Sequence, residues 1–375
     1  MRPGDVMIYF DNAATTNKKP PAVIRAVKNC IKEYSANPGR GAHRLSLRAS
    51  EAVYDARERV SGFFLSESPE RVVFTYNTTY ALNMAIKSIV KPGAHVLISN
   101  LEHNSVLRPI QRLKDTVNVS YSVFDAMASD LKSEIISHLH PETQVIVSTI
   151  ASNVTGREIP LDILTEIKQK YKLKLIIDAA QAAGHKKISL AGCEIDAFCF
   201  PAHKAMLGIM GTGVCIFGEE YEPKSLIEGG SGILSKSLYM PTDLPEALEA
   251  GTLGLPGIVA LSEGIKFLES YGIFEVERRI DELTELLVDR ISEVKGARVI
   301  GAGGGVVSFL LRDLGSEHIA SRLDELGICT RAGLHCAPLA HEALATAESG
   351  TVRASLSIFN TKREIDAFYR ALSKI

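Results

Sequence analysis

The fold is decided by residues 174–204, KLIIDAAQAAGHKKISLAGCEIDAFCFPAHK. Leu175, Ile176 and Ile177 run together and end on Asp178, the pattern of a strand buried on both faces whose last residue reaches the sheet edge. Residues 197–200 form a second apolar run, and Lys204 follows it. Outward from this stretch the alternation continues. Residues 71–75 read as a strand and 78–90 as a helix with Leu82, Ala85, Ile86 and Ile89 on one face. Pro92-Gly93 turns the chain into a strand at 95–99. Helix is expected over 105–113, strand over 117–123, helix to about Leu139, strand over 144–149, helix after Pro160 and strand over 214–217. Short apolar strands spaced by helices imply right-handed crossovers and a mostly parallel sheet, here of seven strands, in an α/β fold.

From about Pro256 the texture changes. A helical region over 258–294 with a break at Tyr271-Gly272 leads to the Gly301–Gly305 cluster, then strand over 306–311, helix over 317–326, strand over 351–356 and a last helix from Lys362. The expected organisation is a large unit over 20–255 and a smaller α+β unit built from 1–19 and 256–375.

Composition excludes several classes. The chain has 375 residues, 46% hydrophobic and 23% charged, which supplies a core and rules out a disordered, collagen-like or disulfide-stapled chain. A formal charge of −2 gives no basic footprint for nucleic acid or anionic lipid. No apolar run approaches the roughly 18 residues of a membrane span. Met1-Arg-Pro-Gly-Asp leads into no apolar segment, so a cytoplasmic protein is expected. The six cysteines (Cys30, Cys193, Cys199, Cys215, Cys329 and Cys336) show no CxxC spacing, and no metal site is expected.

The chemistry centres on Asp178 and Lys204, which successive strands deliver to one sheet edge 26 residues apart. Pyridoxal phosphate needs such a pair: an amine for its aldehyde and a carboxylate that keeps its ring nitrogen protonated. Alone, the two residues also fit a strand-end aspartate and a surface lysine.

The flanking residues resolve this. Tyr9-Phe-Asp-Asn-Ala-Ala-Thr-Thr, His43-Arg-Leu-Ser, Asn77-Thr-Thr, Glu102-His-Asn, Ser152-Asn-Val-Thr-Gly, Asp178-Ala-Ala-Gln, His203-Lys, Glu249-Ala-Gly-Thr, Arg331-Ala-Gly-Leu-His-Cys-Ala, Arg353-Ala-Ser-Leu and Phe359-Asn-Thr occur in this order along nearly the whole chain. Together they resemble the class V aminotransferase family, and within it the cysteine desulfurases and selenocysteine lyases. The resemblance implies the fold type I of pyridoxal-phosphate-dependent transferases and a homodimer. It implies Lys204 as the lysine that attaches the cofactor, Asp178 as partner of the ring nitrogen, Gln181 at the phenolic oxygen and His103 on the ring face. Thr78, Thr79 and His203 would take the phosphate, with Thr252 arriving from the neighbouring subunit. Asn153 and Arg353 would grip the substrate carboxylate, with Ala14, His43 and Arg331 also at the substrate site. Cys336, near Arg331 and His335 in sequence, would be a reactive thiolate favoured by cationic neighbours.

The reaction so implied removes sulfur from L-cysteine, leaving L-alanine and a persulfide on Cys336 for an acceptor protein of sulfur or selenium. The same pocket would serve a selenocysteine lyase or a cystine or cysteine C–S lyase, and a scaffold without catalysis would share the fold. Four departures bear on this: Pro201 stands where the family usually has a phosphate-binding serine, Tyr80 replaces a common acidic residue, Leu334 replaces an imidazole, and Ala337-Pro338 lacks an intervening residue. The first would weaken the phosphate grip unless another group compensates.

Overall fold

The computed structural model describes residues 7–39, 41–66, 68–219 and 224–375. The opening Met1-Arg-Pro-Gly-Asp lies outside the described residues. Strand β1 (Ile8–Tyr9) precedes two helices, α1 (Pro21–Glu33) and α2 (Arg44–Phe64), for which the sequence reading names no element. Alternation then follows: β2 (Val72–Thr75), α3 (Thr78–Ile89), β3 (His95–Ser99), α4 (Asn104–Val117), β4 (Ser120–Phe124), α5 (Leu131–Ser137), β5 (Thr143–Thr149), α6 (Leu161–Tyr171), β6 (Lys174–Asp178), β7 (Ala197–Pro201) and β8 (Gly213–Phe217).

These strands form one seven-stranded sheet in the order β2-β8-β7-β6-β5-β3-β4. Every pair is parallel except the two made by β8, which is antiparallel to both β2 and β7. Alternation along the strands splits the core: Leu175, Ile177, Phe198 and Phe200 pack on one face, and Ile176, Ala197 and Cys199 on the other. Strand β4 begins three residues later than the sequence suggests, because Val117 still belongs to α4 and Asn118 turns the chain in the left-handed region at φ 57°.

The remaining chain adds α7 (Leu255–Tyr271), α8 (Ile273–Ser292), β9 (Ala297–Gly303), β10 (Val306–Leu311), α9 (Ser316–Glu325), β11 (Ile328–Cys329), β12 (Arg331–Gly333), α10 (Pro338–Ala343), β13 (Thr351–Ser355) and α11 (Lys362–Leu372). Gly272, at φ 91°, breaks the long helical run where the sequence places the break. A four-stranded antiparallel sheet runs β12-β13-β10-β9, and β1 pairs in parallel with β11. Asp11 also bridges to Ser355, so the first described residues lie against the last strand. Gly301 and Gly303 belong to β9 and pair with β10, and a side chain at either would collide with Thr155 or Gly156. Among the described residues, no helix is long and apolar enough to cross a membrane.

Candidate active site

Strands β3, β5, β6 and β7 end at one edge of the large sheet, and a pocket with about 570 Å³ of open space, mouth included, lies there. Thr78, Thr79, His103, Asn153, Asp178, Gln181, His203 and Lys204 all line it. The pair read from the sequence therefore faces one cavity. Asp178 ends β6, is buried, and accepts a hydrogen bond from the Ala180 amide at 2.9 Å. Burial raises its pKa, offset in part by that bond and by the charge of Lys204. Lys204 hangs from the hairpin between β7 and β8. Burial lowers its pKa to about 8 against the attraction of Asp178, with Arg353 and Arg331 adding to the fall. A lysine near this value has free amine available at neutral pH, the form that attacks a carbonyl.

His103 caps α4, its Nδ1 accepting from the Ser105 amide at 3.0 Å. Burial, then Lys204 and three arginines, push its pKa down to about 4. The neutral ring with Nδ1 accepting must carry its proton on Nε2. Asn77 caps α3 by accepting from the Tyr80 amide at 2.9 Å, which leaves the Thr78 and Thr79 amides at the positive helix end without a partner among the described residues. Among the described residues the buried Thr78 Oγ1 and His203 Nδ1 have no partner. Gln181 donates to the Ala13 carbonyl at 3.1 Å, which brings the segment of Ala14 next to the pocket without placing Ala14 in its lining.

Sequence reasoning missed Ser105 and Asp11. The Ser105 hydroxyl lies 2.7 Å from Thr79 Oγ1 and 2.9 Å from His103 Nδ1, on the wall where Pro201 has no hydroxyl to offer. Its signal was its place in the first turn of a helix opened by His103. Asp11 pairs with Arg353 Nη2 at 2.9 Å while Arg353 Nη1 donates to the Asn153 carbonyl at 3.0 Å. Arg353 is buried, its Nε has no partner among the described residues, and its cross-strand neighbour is Arg331. Arg331 itself is exposed, yet close enough that its charge lowers the pKa of Lys204 and His103.

Cys336 is exposed in the turn between β12 and α10, and its carbonyl accepts from the Asn104 amide at 2.7 Å. His335 does not act as the cationic neighbour that the sequence suggests. It is buried against Thr351, and burial with the charge of Arg353 pushes its pKa down to about 3. Two residues lie elsewhere in this chain. His43 is exposed at the start of α2, and Thr252 is exposed beside Tyr76 and Tyr80 in a separate depression.

Fold and pocket together define an α/β enzyme with a lysine and a carboxylate facing one cavity. Residues 8–368 match the aminotransferase class-V family, and the chain belongs to it. It is 34% identical over 379 residues to a protein of Methanothermobacter thermautotrophicus named "Probable cysteine desulfurase", covering 98% of this chain and 94% of that one. A protein of the same name from Halalkalibacterium halodurans is also 34% identical, over 99% of this chain and 93% of its own. Among solved structures, the apo cysteine desulfurase from Thermococcus onnurineus NA1 superposes with a TM-score of 0.91 at 30% identity, over 98% of this chain and 94% of that one. The cysteine desulfurase CsdA from Escherichia coli gives 0.89 at 25% identity, over the same shares of the two chains.

Proposed function

We propose that this chain is a pyridoxal-phosphate-dependent cysteine desulfurase that converts L-cysteine to L-alanine and passes the sulfur through Cys336. The observation that carries the reading is the shared pocket of Asp178 and Lys204, with unpartnered Thr78 Oγ1 and His203 Nδ1 on its wall. These groups fit the cofactor: a buried anion for a cationic ring nitrogen, a depressed lysine for an aldehyde, and free donors at a helix start for a phosphate. Pyridoxal phosphate, when bound, supplies that aldehyde and a ring that accepts electron density from the substrate's α-carbon.

The chain's own residues do the rest. Asp178 stays ionised against the ring nitrogen, and Gln181 stands by the phenolic oxygen. Thr78, Thr79 and His203 hold the phosphate, Ser105 supports Thr79 in place of the absent serine hydroxyl, and Thr252 completes the grip from the second copy of a homodimer. Lys204 takes the substrate's α-proton. His103 stacks on the ring and offers its Nε2 proton. Arg353 and Asn153 orient the substrate carboxylate, and Arg331, Ala14 and His43 border its approach. The Cys336 thiolate takes the substrate sulfur as the Cβ–Sγ bond breaks, forming an S–S bond. An acceptor thiol RSH then leaves as RSSH, so cysteine plus RSH gives alanine plus RSSH.

Two variants test this. Lys204→Ala is expected to purify with no cofactor reducible onto the protein by borohydride, and trapping cofactor on that variant would overturn the assignment. Cys336→Ala is expected to retain the cofactor's absorbance and lose most alanine formation from cysteine. Unchanged alanine formation would remove Cys336 from the reaction.

A further inference from the structure

The turn that carries Cys336 has an unusual backbone. His335 and Cys336 are consecutive non-glycine residues in the left-handed region, at φ 47° and 58°. Each such residue is strained relative to a right-handed one and persists only where its surroundings over-determine it. Here they do. The His335 carbonyl accepts from Asn153 Nδ2 at 2.7 Å, the Cys336 carbonyl from the Asn104 amide at 2.7 Å, and the Leu334 carbonyl from the Ala337 amide at 2.9 Å. The His335 side chain supplies the fourth tie, its Nε2 lying 3.2 Å from the Thr351 carbonyl and 3.1 Å from the Thr351 hydroxyl.

We propose that His335 is a positioning residue for Cys336, its imidazole pinning the turn to β13 so that the thiol is held against the His103–Asn104 wall. The proposal deepens the reading of Cys336 as sulfur acceptor and rests on it for its kinetic consequence. The carbonyl acceptor requires Nε2 to carry the proton, so the ring acts as a neutral donor. Its burial, with the charges of Arg353 and Arg331 nearby, supports this by disfavouring a second proton on the ring. Thr351 opens the strand that bears Arg353, so the imidazole ties the thiol turn to the same strand as the carboxylate clamp.

The test compares His335→Phe and His335→Leu, which fill the buried volume without a donor, with His335→Gln, which places an N–H near the position of Nε2. Hydrogen exchange of the holoenzyme, read by mass spectrometry on peptides spanning 332–340, is the first measurement. Phe and Leu are expected to speed exchange there at least tenfold, with exchange in the large sheet unchanged. Gln is expected to restore most of the protection, and Thr351→Val, which removes one of the two acceptors, to fall between. In turnover, Phe and Leu should lower kcat tenfold or more with KM for cysteine within twofold of the parent. Wild-type protection in either apolar variant, or no rescue by Gln, would overturn the proposal. The exchange arm does not depend on catalysis. If Cys336→Ala were fully active, the function reading would fail while the exchange data still judged the latch.

Discussion

Glu102 shows how a single residue conditions the site without lining it. It is fully buried, and Oε1 accepts from the Thr149 amide at 2.8 Å and from the Ser99 hydroxyl, which ties the ends of β3 and β5 together. Burial raises its pKa to about 8, with the nearby Asp178 adding to the rise. At neutral pH the folded protein therefore holds Glu102 as the acid. The sign of the stability effect follows. The unfolded carboxyl loses its proton above about 4.3, whereas the folded one keeps it until about pH 8. Unfolding thus releases a proton in this window, and the contribution of Glu102 to stability falls as pH rises through it. Glu102→Gln, which mimics the acid, lacks this loss. Its melting temperature relative to the parent is expected to climb steadily from pH 5 to pH 8, measured by calorimetry at matched ionic strength. A flat difference would show that Glu102 ionises normally. A further residue-scale expectation concerns Arg353. A charge-assisted bond to the substrate contributes about 1.5–3 kcal/mol, so Arg353→Ala should raise KM for cysteine by tenfold or more, and a normal KM would remove it from the site.

The loop after β5 joins the two main sheets. Ser308 on β10 donates to the Val154 carbonyl at 2.6 Å, Gly301 packs on Thr155, and Gly156 lies against Gly303. Asn153 in the same loop holds both the His335 carbonyl and, through its own carbonyl, Arg353. Gly156 sits at φ 66°, and a Cβ there would stand 2.1 Å from the Gly303 carbonyl oxygen. Gly192, at φ 73°, would place a Cβ with nothing within 4 Å among the described residues. Gly192→Ala should therefore cost about 1–2 kcal/mol for the backbone alone. Gly156→Ala should add about 1–3 kcal/mol of overpacking and loosen the Asn153 contacts. Denaturant midpoints read the difference; equal losses would mean the two sheets yield at this contact without strain. The same elements mark how far the sequence could be read. Asp178 and Lys204 were legible because each follows an apolar run whose end fixes its place on the sheet. Strands β1, β11 and β12, of two or three residues, are too short to show a period, and β9 hides its strand character behind glycines kept for close approach. The Asp11–Arg353 pair spans 342 residues, and no local pattern announces a partner at that distance.

At the scale of the molecule, the exposed apolar residues between β8 and Pro241 bear on the proposed homodimer. Leu238 is 98% and Tyr239 87% exposed, and Ile227, Ile233 and Leu234 are exposed in the same irregular stretch before Pro241. Isolated exposed apolar residues are ordinary, but several within one short stretch offer a surface for a partner to cover. Thr252 follows it closely in sequence and lies outside the Lys204 pocket of its own chain. The homodimer proposed above would account for both facts, covering the stretch and bringing Thr252 to the neighbouring phosphate site. The expected mass in solution is twice 40.7 kDa by light scattering at micromolar concentration. The double variant Leu238→Glu/Tyr239→Glu places like charges in the contact and is expected to shift the protein toward monomer. Because the phosphate grip then loses Thr252, dialysis should strip cofactor absorbance from this variant faster than from the parent. Thr252→Val should reproduce the faster loss while remaining a dimer. A parent that stays monomeric at all concentrations, or a monomeric double variant that keeps its cofactor as firmly as the parent, would separate the apolar stretch from the site and leave Thr252 without a role there.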